Sequence, residues 1–194
     1  MSACILCFGH ELRPMLRKNG YAIVRCGACG LTQLDPIPSQ GDLDVLYETD
    51  YFAGESGAGY SDYSGQEAEY RATFAEEIRR FEPYLEGRRI LDAGCGFGYF
   101  MAVAEEAGFE AYGVDLSAEA ADRCRLRFGD RAMRGTLNEA RAWGLESFDA
   151  VFASHLIEHL PRPAAFLEEA RALLRPGGIL VLVTPNVSSL LARV

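Results

Sequence analysis

The sequence predicts an α/β fold with a parallel sheet, preceded by a small metal-binding unit. From residue 64 to residue 186, short apolar runs typical of buried strands alternate with helical segments, which is the pattern of a parallel sheet covered by helices. Before them, residues 1–38 contain two C-x-x-C pairs, a spacing that favours a metal site. The 194 residues are enough for one ordinary domain and an appendage.

Composition restricts the partners that we expect. The net charge of −9 disfavours broad binding to nucleic acid or to anionic membranes, and a small neutral or cationic molecule is easier to accommodate. The sequence has no run of 18 apolar residues and no basic region followed by an apolar one at its N-terminus, so we expect no membrane partner and a cytoplasmic location. Six cysteines in such a chain indicate metal binding or free thiols rather than disulfides.

The predicted metal site consists of Cys4, Cys7, Cys26 and Cys29. Eighteen residues separate the two pairs, and a strand over residues 21–25 lies between them. Two cysteine knuckles on short hairpins place four sulfurs at the corners of a tetrahedron, which suits a structural Zn²⁺ without an open ligand position. We therefore predict a zinc ribbon over residues 1–38, with unpaired buried cysteines or a redox pair as the alternatives.

Residues 39–86 are predicted to form a linker and a helix. The linker contains a short helix over residues 42–48 and a stretch rich in glycine and tyrosine over residues 51–63. Its tyrosines either pack the linker on the core or reach a ligand. Ser64 and Glu67 have the spacing of a capping box, and apolar residues at helical intervals follow up to Leu85. We predict that the charged residues of this helix, Glu77 among them, form a solvated face.

A glycine-rich turn follows the first predicted strand of the sheet. Gly94, Gly96 and Gly98 alternate after that strand, and a helix is predicted to begin near Phe97 and to end at Gly108. Glycines let the main chain approach a ligand, and a helix start offers unpaired N–H groups, so this pattern indicates a nucleotide site. The dinucleotide pattern G-x-G-x-x-G would require glycine at position 99, which is Tyr99.

Four further strands and two further helices complete the predicted sheet. The strands are expected at residues 110–115, 131–134, 147–154 and 179–186, and the helices at 118–128 and 163–174. Asp115 ends the second strand, 17 residues after Gly98. A carboxylate there can accept hydrogen bonds from both ribose hydroxyls of a nucleoside. Its other possible role is to cap the next helix, but Ser117 already fills that position.

Two segments carry a resemblance to a known family. The pattern Asp92-x-Gly94-x-Gly96-x-Gly98 resembles motif I of the class I S-adenosylmethionine (SAM) methyltransferases. The segment 148–163, FDAVFASHLIEHLPRP, resembles motif IV of the UbiE and UbiG type within that family. The resemblance implies a Rossmann-like core over residues 87–194 with strand order 3-2-1-4-5. It also implies in-line transfer of a methyl group from SAM to a small-molecule acceptor.

The resemblance implies positions for the site residues. The residues expected to bind SAM are Asp92, Gly94, Cys95, Gly96, Gly98, Asp115, Leu116, Thr136, Leu137, Ser154 and Tyr60. His155 and Tyr63 are the candidate catalytic residues, because both are expected on the acceptor side. UbiG-like enzymes carry acidic residues and a histidine in the turn after motif IV that can hold Mg²⁺. Here His155 stands where those enzymes have glutamate, which puts a magnesium site in doubt without removing it as an alternative.

Two alternatives to a small-molecule methyltransferase remain at this point. An RNA or protein methyltransferase could use the ribbon for recognition, although the acidic net charge disfavours nucleic acid. A catalytically inactive SAM-binding module is the other alternative, because the family fold has seven strands and only five are recognisable here. The sequence therefore looks C-terminally truncated relative to the family. An apolar fifth strand left as an open edge predicts self-association.

Overall fold

The structure, a computed structural model, describes residues 2–18, 20–39, 41–42, 65–142 and 144–186. Two sheets are present in these ranges, an antiparallel one of three strands and a parallel one of five. In the described part of the chain, no helix combines the length and the apolar content that crossing a membrane requires.

The small sheet belongs to the cysteine-rich unit. Its strands run in the order β1 (Leu12–Lys18), β2 (Tyr21–Cys26) and β3 (Thr32–Asp35), of which only β2 was predicted as a strand. The buried side chain of Gln33 connects β3 to the first cysteine pair, since it accepts the N–H of Ile5 at 3.0 Å and donates to the carbonyl of Ala3 at 3.2 Å. Local backbone pairing and this buried amide therefore both contribute to holding the unit together.

The parallel sheet confirms the predicted strand order. Its strands are β4 (Arg89–Ala93), β5 (Glu110–Asp115), β6 (Ala132–Arg134), β7 (Phe148–Ser154) and β8 (Leu174–Val183). They lie in the order β6-β5-β4-β7-β8, which is 3-2-1-4-5 in the numbering of the core. The helices are α1 (Glu67–Phe81), α2 (Tyr99–Glu106), α3 (Ala118–Phe128), α4 (Leu137–Ala142) and α5 (Pro163–Leu173).

Alternation along the central strands creates two apolar layers. Ile90 on β4 packs with the layer formed by α1, α2 and α3, whereas its neighbour Leu91 packs with the layer formed by α4 and α5. In the first layer, the rings of Phe100 and Phe152 stack in parallel with centroids 3.8 Å apart, and Phe74 contacts both edge-on. Such burial on both sides explains why the parallel strands read as nearly continuous apolar runs.

Several element boundaries differ from the predictions. Helix α2 begins at Tyr99 rather than near Phe97, because Gly98 adopts a left-handed conformation immediately before it. The predicted capping box before α1 is not established: Gln66 precedes the helix without a side-chain cap, and Ser64 lies outside the described residues. Helix α4 was not predicted. The last strand begins at Leu174 with an irregular register before Ile179, and it ends at Val183.

The end of α2 confirms the predicted role of Gly108. The N–H of Gly108 donates to the carbonyl of Glu105 at 2.9 Å, and the N–H of Phe109 donates to Ala104 at 2.9 Å. These two bonds form a Schellman motif, and Gly108 has the left-handed φ of 84° that the motif requires. The motif turns the chain into β5 and so brings the next strand alongside β4.

Candidate functional site

The glycine turn lies at the carboxyl end of the central strand β4. Gly94, Gly96 and Gly98 have φ values of 76°, 52° and 80°, which residues with side chains rarely adopt. The N–H groups of Gly94 and Cys95 donate to the carbonyl of Val114 on β5, at 2.8 and 3.0 Å. The turn is therefore fixed against the neighbouring strand, at the edge of the sheet where open α/β folds bind ligands.

Buried sulfur atoms pack directly behind this turn. A Cβ atom at Gly98 would lie 2.7 Å from the Sγ of Cys124, and a Cβ atom at Gly113 would lie 2.5 Å from the Sδ of Met101. Cys95, predicted to contact SAM, has its side chain buried in the same region. A hydrogen bond with Cys124 and burial raise the pKa of the Cys95 thiol well above its usual range. The Cys95 side chain thus serves the core.

Asp115 connects the end of β5 to the glycine turn. One of its carboxylate oxygens accepts the N–H of Gly96 at 2.9 Å, and the other accepts the N–H of Ser117 at 2.8 Å. Burial raises the pKa of Asp115, and these two hydrogen bonds oppose the rise. Each oxygen keeps a second lone pair, so the carboxylate can still accept two hydroxyl groups. The neighbouring side chain of Leu116 is 42% exposed, which leaves it accessible to a flat apolar group.

Asp92 is a buried acid at the end of β4. The residue is 4% exposed, and no described residue donates a hydrogen bond to its carboxyl group. Burial, and then the negative charge of Asp115, raise the pKa of Asp92 well above its usual range. Its carboxyl group borders a cavity, so this position favours a ligand that brings a donor or a positive charge.

A cavity of about 240 Å³ opens beside Asp92. It lies between α1 and the carboxyl ends of β4, β7 and β8. Its lining residues are Tyr70, Thr73, Phe74, Glu77, Asp92, Gly94, Cys95, Phe100, Phe152, Ser154, His155 and Val183. The cavity thus brings together five of the predicted site residues. It also corrects the prediction for Glu77, whose side chain is only 20% exposed and lines the cavity instead of a solvated face.

His155 follows β7 in an uncommon backbone conformation. Its φ is 50°, and its N–H donates to the carbonyl of Val183 at 2.8 Å. The Nδ1 atom lies 3.4 Å from Oε1 of Glu158, and the hydroxyl of Thr184 donates to Oε2 of Glu158 at 3.1 Å. The sequence analysis assigned no role to Glu158 or Thr184. The H-x-x-E spacing was the available signal for Glu158, whereas Thr184 becomes a neighbour only through the pairing of β7 with β8.

Thr136 and Leu137, which were also predicted to bind SAM, have side chains with structural contacts of their own. The Thr136 hydroxyl accepts the N–H of Glu139 at 3.3 Å, and the Glu139 carboxylate accepts the N–H of Thr136 at 2.8 Å, so the pair forms a capping box for α4. The side chain of Leu137 is buried in the core. The side chain of Thr136 therefore caps α4, and that of Leu137 packs in the core. Tyr60 and Tyr63 lie outside the described residues.

The four predicted zinc ligands come together in the small unit. The Sγ atoms of Cys4, Cys7, Cys26 and Cys29 all lie within 4.8 Å of one another, and the Cys4–Cys29 and Cys7–Cys26 distances are both 3.5 Å. A zinc tetrahedron with Zn–S bonds of about 2.3 Å has sulfur–sulfur edges of about 3.8 Å. The N–H of Cys29 lowers the pKa of Cys26 to about 6, which favours a thiolate there. A backbone hydrogen bond from Leu31 lowers the pKa of Cys29, but contacts with the other thiols outweigh it and raise that pKa to about 12. The donor set fits zinc.

Comparison with curated proteins finds ubiquinone biosynthesis O-methyltransferases. The one from Cereibacter sphaeroides is 33% identical over 119 residues, which cover 59% of this chain and 48% of that protein. The one from Alkalilimnicola ehrlichii is 35% identical over 107 residues, which cover 53% of this chain and 43% of that protein. The chain thus spans about half the length of the curated relatives that it matches.

Comparison with solved structures gives the same fold. A SAM-dependent methyltransferase from Archaeoglobus fulgidus superposes with a TM-score of 0.54 at 24% identity, over 75% of this chain and 62% of that one. A SAM-bound amino pentose methyltransferase from Micromonospora echinaspora gives a TM-score of 0.50 at 28% identity, over 73% of this chain and 58% of that one. A family model described as a methyltransferase domain matches residues 67–194. Because that match spans well over half of the chain, the protein belongs to this family of class I SAM-dependent methyltransferases.

Proposed function

We propose that this chain transfers a methyl group from SAM to a small-molecule acceptor. One observation carries the proposal: the carboxylate of Asp115 and the glycine turn are hydrogen-bonded to each other beside the buried carboxyl group of Asp92, to which no described residue donates a hydrogen bond. Ribose hydroxyls require acceptors, and a cationic ligand is favoured by a buried acid. Both requirements are met at the carboxyl ends of adjacent strands.

The residues of the site suit the separate parts of SAM. The free lone pairs of Asp115 can accept the two ribose hydroxyls, and the exposed side chain of Leu116 offers an apolar surface to the adenine ring. Gly94 and Gly96 let the main chain approach the ligand closely. Asp92 can interact with the positive charge of the methionine part. These residues bind and orient, so we expect positioning to provide most of the rate acceleration.

The reaction requires little chemistry from the protein. SAM supplies an electrophilic methyl group on a cationic sulfonium. As the acceptor bonds to the methyl group, the carbon–sulfur bond breaks and its electron pair goes to sulfur. The adjoining cavity of about 240 Å³ is of a size for part of a small molecule. His155 lines that cavity and is suited to accept a proton when the acceptor is a hydroxyl group. The relatives named O-methyltransferases favour such an acceptor.

We further propose that the cysteine cluster holds a structural zinc ion. Four thiolates complete the tetrahedral coordination of Zn²⁺ and leave no position for a substrate, so the metal would stabilise the small unit and not take part in methyl transfer. Cysteines available for zinc must remain reduced, which suits the cytoplasm.

The experiment is an acceptor screen with the complete, zinc-loaded chain. The protein is incubated with SAM and a panel of phenols, catechols and amines, and the formation of S-adenosylhomocysteine and of methylated product is followed by mass spectrometry. We expect turnover with at least one class of acceptor and its loss in Asp115→Ala. Asp122→Ala, which removes an exposed carboxylate from α3, is the matched control and should retain activity.

Two results of the screen would contradict the proposal. Binding of S-adenosylhomocysteine without methyl transfer to any acceptor would favour an inactive SAM-binding module. Methylation of RNA, together with RNA binding that weakens steeply with salt, would favour a macromolecular substrate recognised by the ribbon.

A further inference from the structure

His155 lines the cavity, and its backbone is hydrogen-bonded to β8 in an uncommon conformation. The N–H of His155 donates to the carbonyl of Val183, and its φ of 50° is uncommon for a residue with a side chain. A non-glycine residue in this region is strained, and such strain is frequent at functional sites. The backbone of His155 is therefore fixed by its pairing with β8. Its side chain remains 50% exposed and accessible to a ligand.

Two further side chains form a chain of contacts behind the imidazole. The 3₁₀ turn Ile157–His159 places Glu158 with Oε1 3.4 Å from Nδ1 of His155. The other oxygen of the same carboxylate accepts the hydroxyl of Thr184 at 3.1 Å. Glu158 is 25% exposed, half the exposure of His155. Each end of the carboxylate thus has one partner, which fixes its orientation toward the imidazole.

This arrangement distinguishes the two nitrogens of His155. A carboxylate beside Nδ1 accepts a hydrogen bond only if that nitrogen carries the proton, and the lone pair of the neutral ring is then on Nε2. The carboxyl side chains that line the cavity are those of Glu77 on α1 and Asp92 on β4. Among the residues that the structure describes, the contact to Nδ1 therefore comes from Glu158.

We propose that Glu158 and Thr184 are positioning residues that hold the His155 imidazole with its proton on Nδ1, so that Nε2 accepts the proton of an acceptor hydroxyl. This inference rests on the function proposed above, and it assigns to that site an acceptor whose nucleophile must lose a proton. When the acceptor oxygen gains the methyl group, its proton moves to Nε2. The resulting imidazolium is paired with the Glu158 carboxylate, and after product release the proton passes to water.

The first test is the tautomer of His155, which is measured without any acceptor. The sequence has three histidines, so a long-range ¹H–¹⁵N spectrum at alkaline pH is simple, and His155→Asn identifies the signal of interest. We expect the Nδ1–H form in the native protein and in Glu158→Gln, whose amide oxygen still accepts. In Glu158→Ala we expect a shift to the Nε2–H form. A native His155 in the Nε2–H form would overturn the proposal.

The second test is kinetic and uses the acceptor found in the screen. We expect Glu158→Ala to lower kcat about 10-fold or more with little change in the KM of the acceptor, because general base catalysis contributes about 10² to 10⁴-fold to a rate. Thr184→Val should lower kcat less, and Glu158→Gln should retain more activity than Glu158→Ala. The control is Glu168→Ala, which removes an exposed carboxylate from α5 and should leave kcat unchanged.

Binding of S-adenosylhomocysteine separates this proposal from the previous one. If the native chain and all variants bind it within about twofold of one another, any loss of kcat is not a loss of the cofactor site. If the native chain does not bind S-adenosylhomocysteine, the proposed function fails. The tautomer of His155 can still be measured in that case, and it shows separately whether Glu158 holds the proton on Nδ1. An unchanged kcat in Glu158→Ala, or a requirement for added Mg²⁺, would overturn the role of Glu158 as a positioning residue.

Discussion

The carboxylate of Asp115 accepts the backbone N–H of Gly96 at 2.9 Å, so the acid at the end of β5 holds the turn that follows β4. The same carboxylate is the predicted acceptor for the ribose hydroxyls. Under the proposed function, one residue both shapes the glycine turn and contacts the ligand. Substitution of Asp115 should therefore have a larger effect on binding than the loss of a ribose contact alone would cause.

Asp115→Ala should weaken the binding of S-adenosylhomocysteine by about 1.5–3 kcal/mol, which corresponds to about 10 to 150-fold in Kd. The variant loses the ribose acceptor and leaves the N–H of Gly96 without its partner. Calorimetric titration measures the change, with the exposed Asp122→Ala as the matched control. Equal affinity in Asp115→Ala and the native chain would contradict the assigned ribose site.

Gly98→Ala and Gly108→Ala form a matched pair that tests the packing behind the turn. Both glycines have nearly the same φ, 80° and 84°, so the conformational cost of about 1–2 kcal/mol is shared. A Cβ at Gly98 would lie 2.6 Å from the Phe128 ring, whereas a Cβ at Gly108 has nothing within 4 Å. We expect a larger loss of unfolding free energy for Gly98→Ala, measured by urea denaturation. Equal losses would mean that the packing of Cys124 and Phe128 against Gly98 leaves room for a Cβ atom.

Asp149 should make the core more stable above its titration range than below it. Its carboxylate is buried, which alone would raise its pKa, but the N–H of Arg89 at 2.8 Å and the guanidinium of Arg175 lower the pKa below its ordinary value. A lowered folded-state pKa gives stability that is present above the ordinary aspartate pKa of about 3.9 and is lost as the pH falls through the folded-state value.

Asp149→Asn tests this linkage. At pH 7 we expect a loss of about 1–3 kcal/mol in unfolding free energy, because the guanidinium of Arg175 and the N–H of Arg89 lose a charged acceptor. The difference from the native chain should shrink at about pH 3, because this lies below the ordinary aspartate pKa of about 3.9 and the unfolded chain then binds the proton more readily than the folded chain. Urea denaturation at both pH values measures it, with the exposed Asp130→Asn as control. A difference that is the same at both pH values would exclude the charge of Asp149 as the cause.

The cysteine cluster should bind one zinc ion per chain. Cys26→Ser removes one of four ligands and should abolish stoichiometric zinc, measured by elemental analysis of the purified protein. Cys124→Ala removes a cysteine of the core and should retain the metal. Removal of zinc by a chelator should also abolish the order of the small unit, visible as loss of its amide signals. Full zinc content in Cys26→Ser would contradict the assignment.

Much of the fold could be predicted because its signals are local. The apolar runs around β4 and β5 predicted the strands, and the resemblance to the methyltransferase family implied their order, which the sheet confirms. Strands β1 and β3 were not predicted, since β1 has an almost wholly exposed pattern and β3 spans only four residues. Their pairing with β2, and not their own composition, makes them strands.

The missed features of the site depend on contacts distant in sequence. Glu77 resembles its solvated neighbours on α1, and only the packing of that helix against β4 and β7 turns it toward the cavity. Thr184 likewise reaches Glu158 because β8 pairs with β7. Single-residue patterns do not contain this information. The predicted roles of Tyr60 and Tyr63 fall outside the described residues and stay predictions, as does self-association through β8.

The pairing of β4 with β7 has a consequence for how the chain folds during synthesis. Ile90 pairs with Ala150, a separation of 60 residues, so the central strand cannot be enclosed on both sides until β7 has left the ribosome. The partners within the small sheet, by contrast, all lie between Leu12 and Asp35. We therefore expect the cysteine-rich unit to fold first, while the ribosome is still translating the segment that completes the parallel sheet.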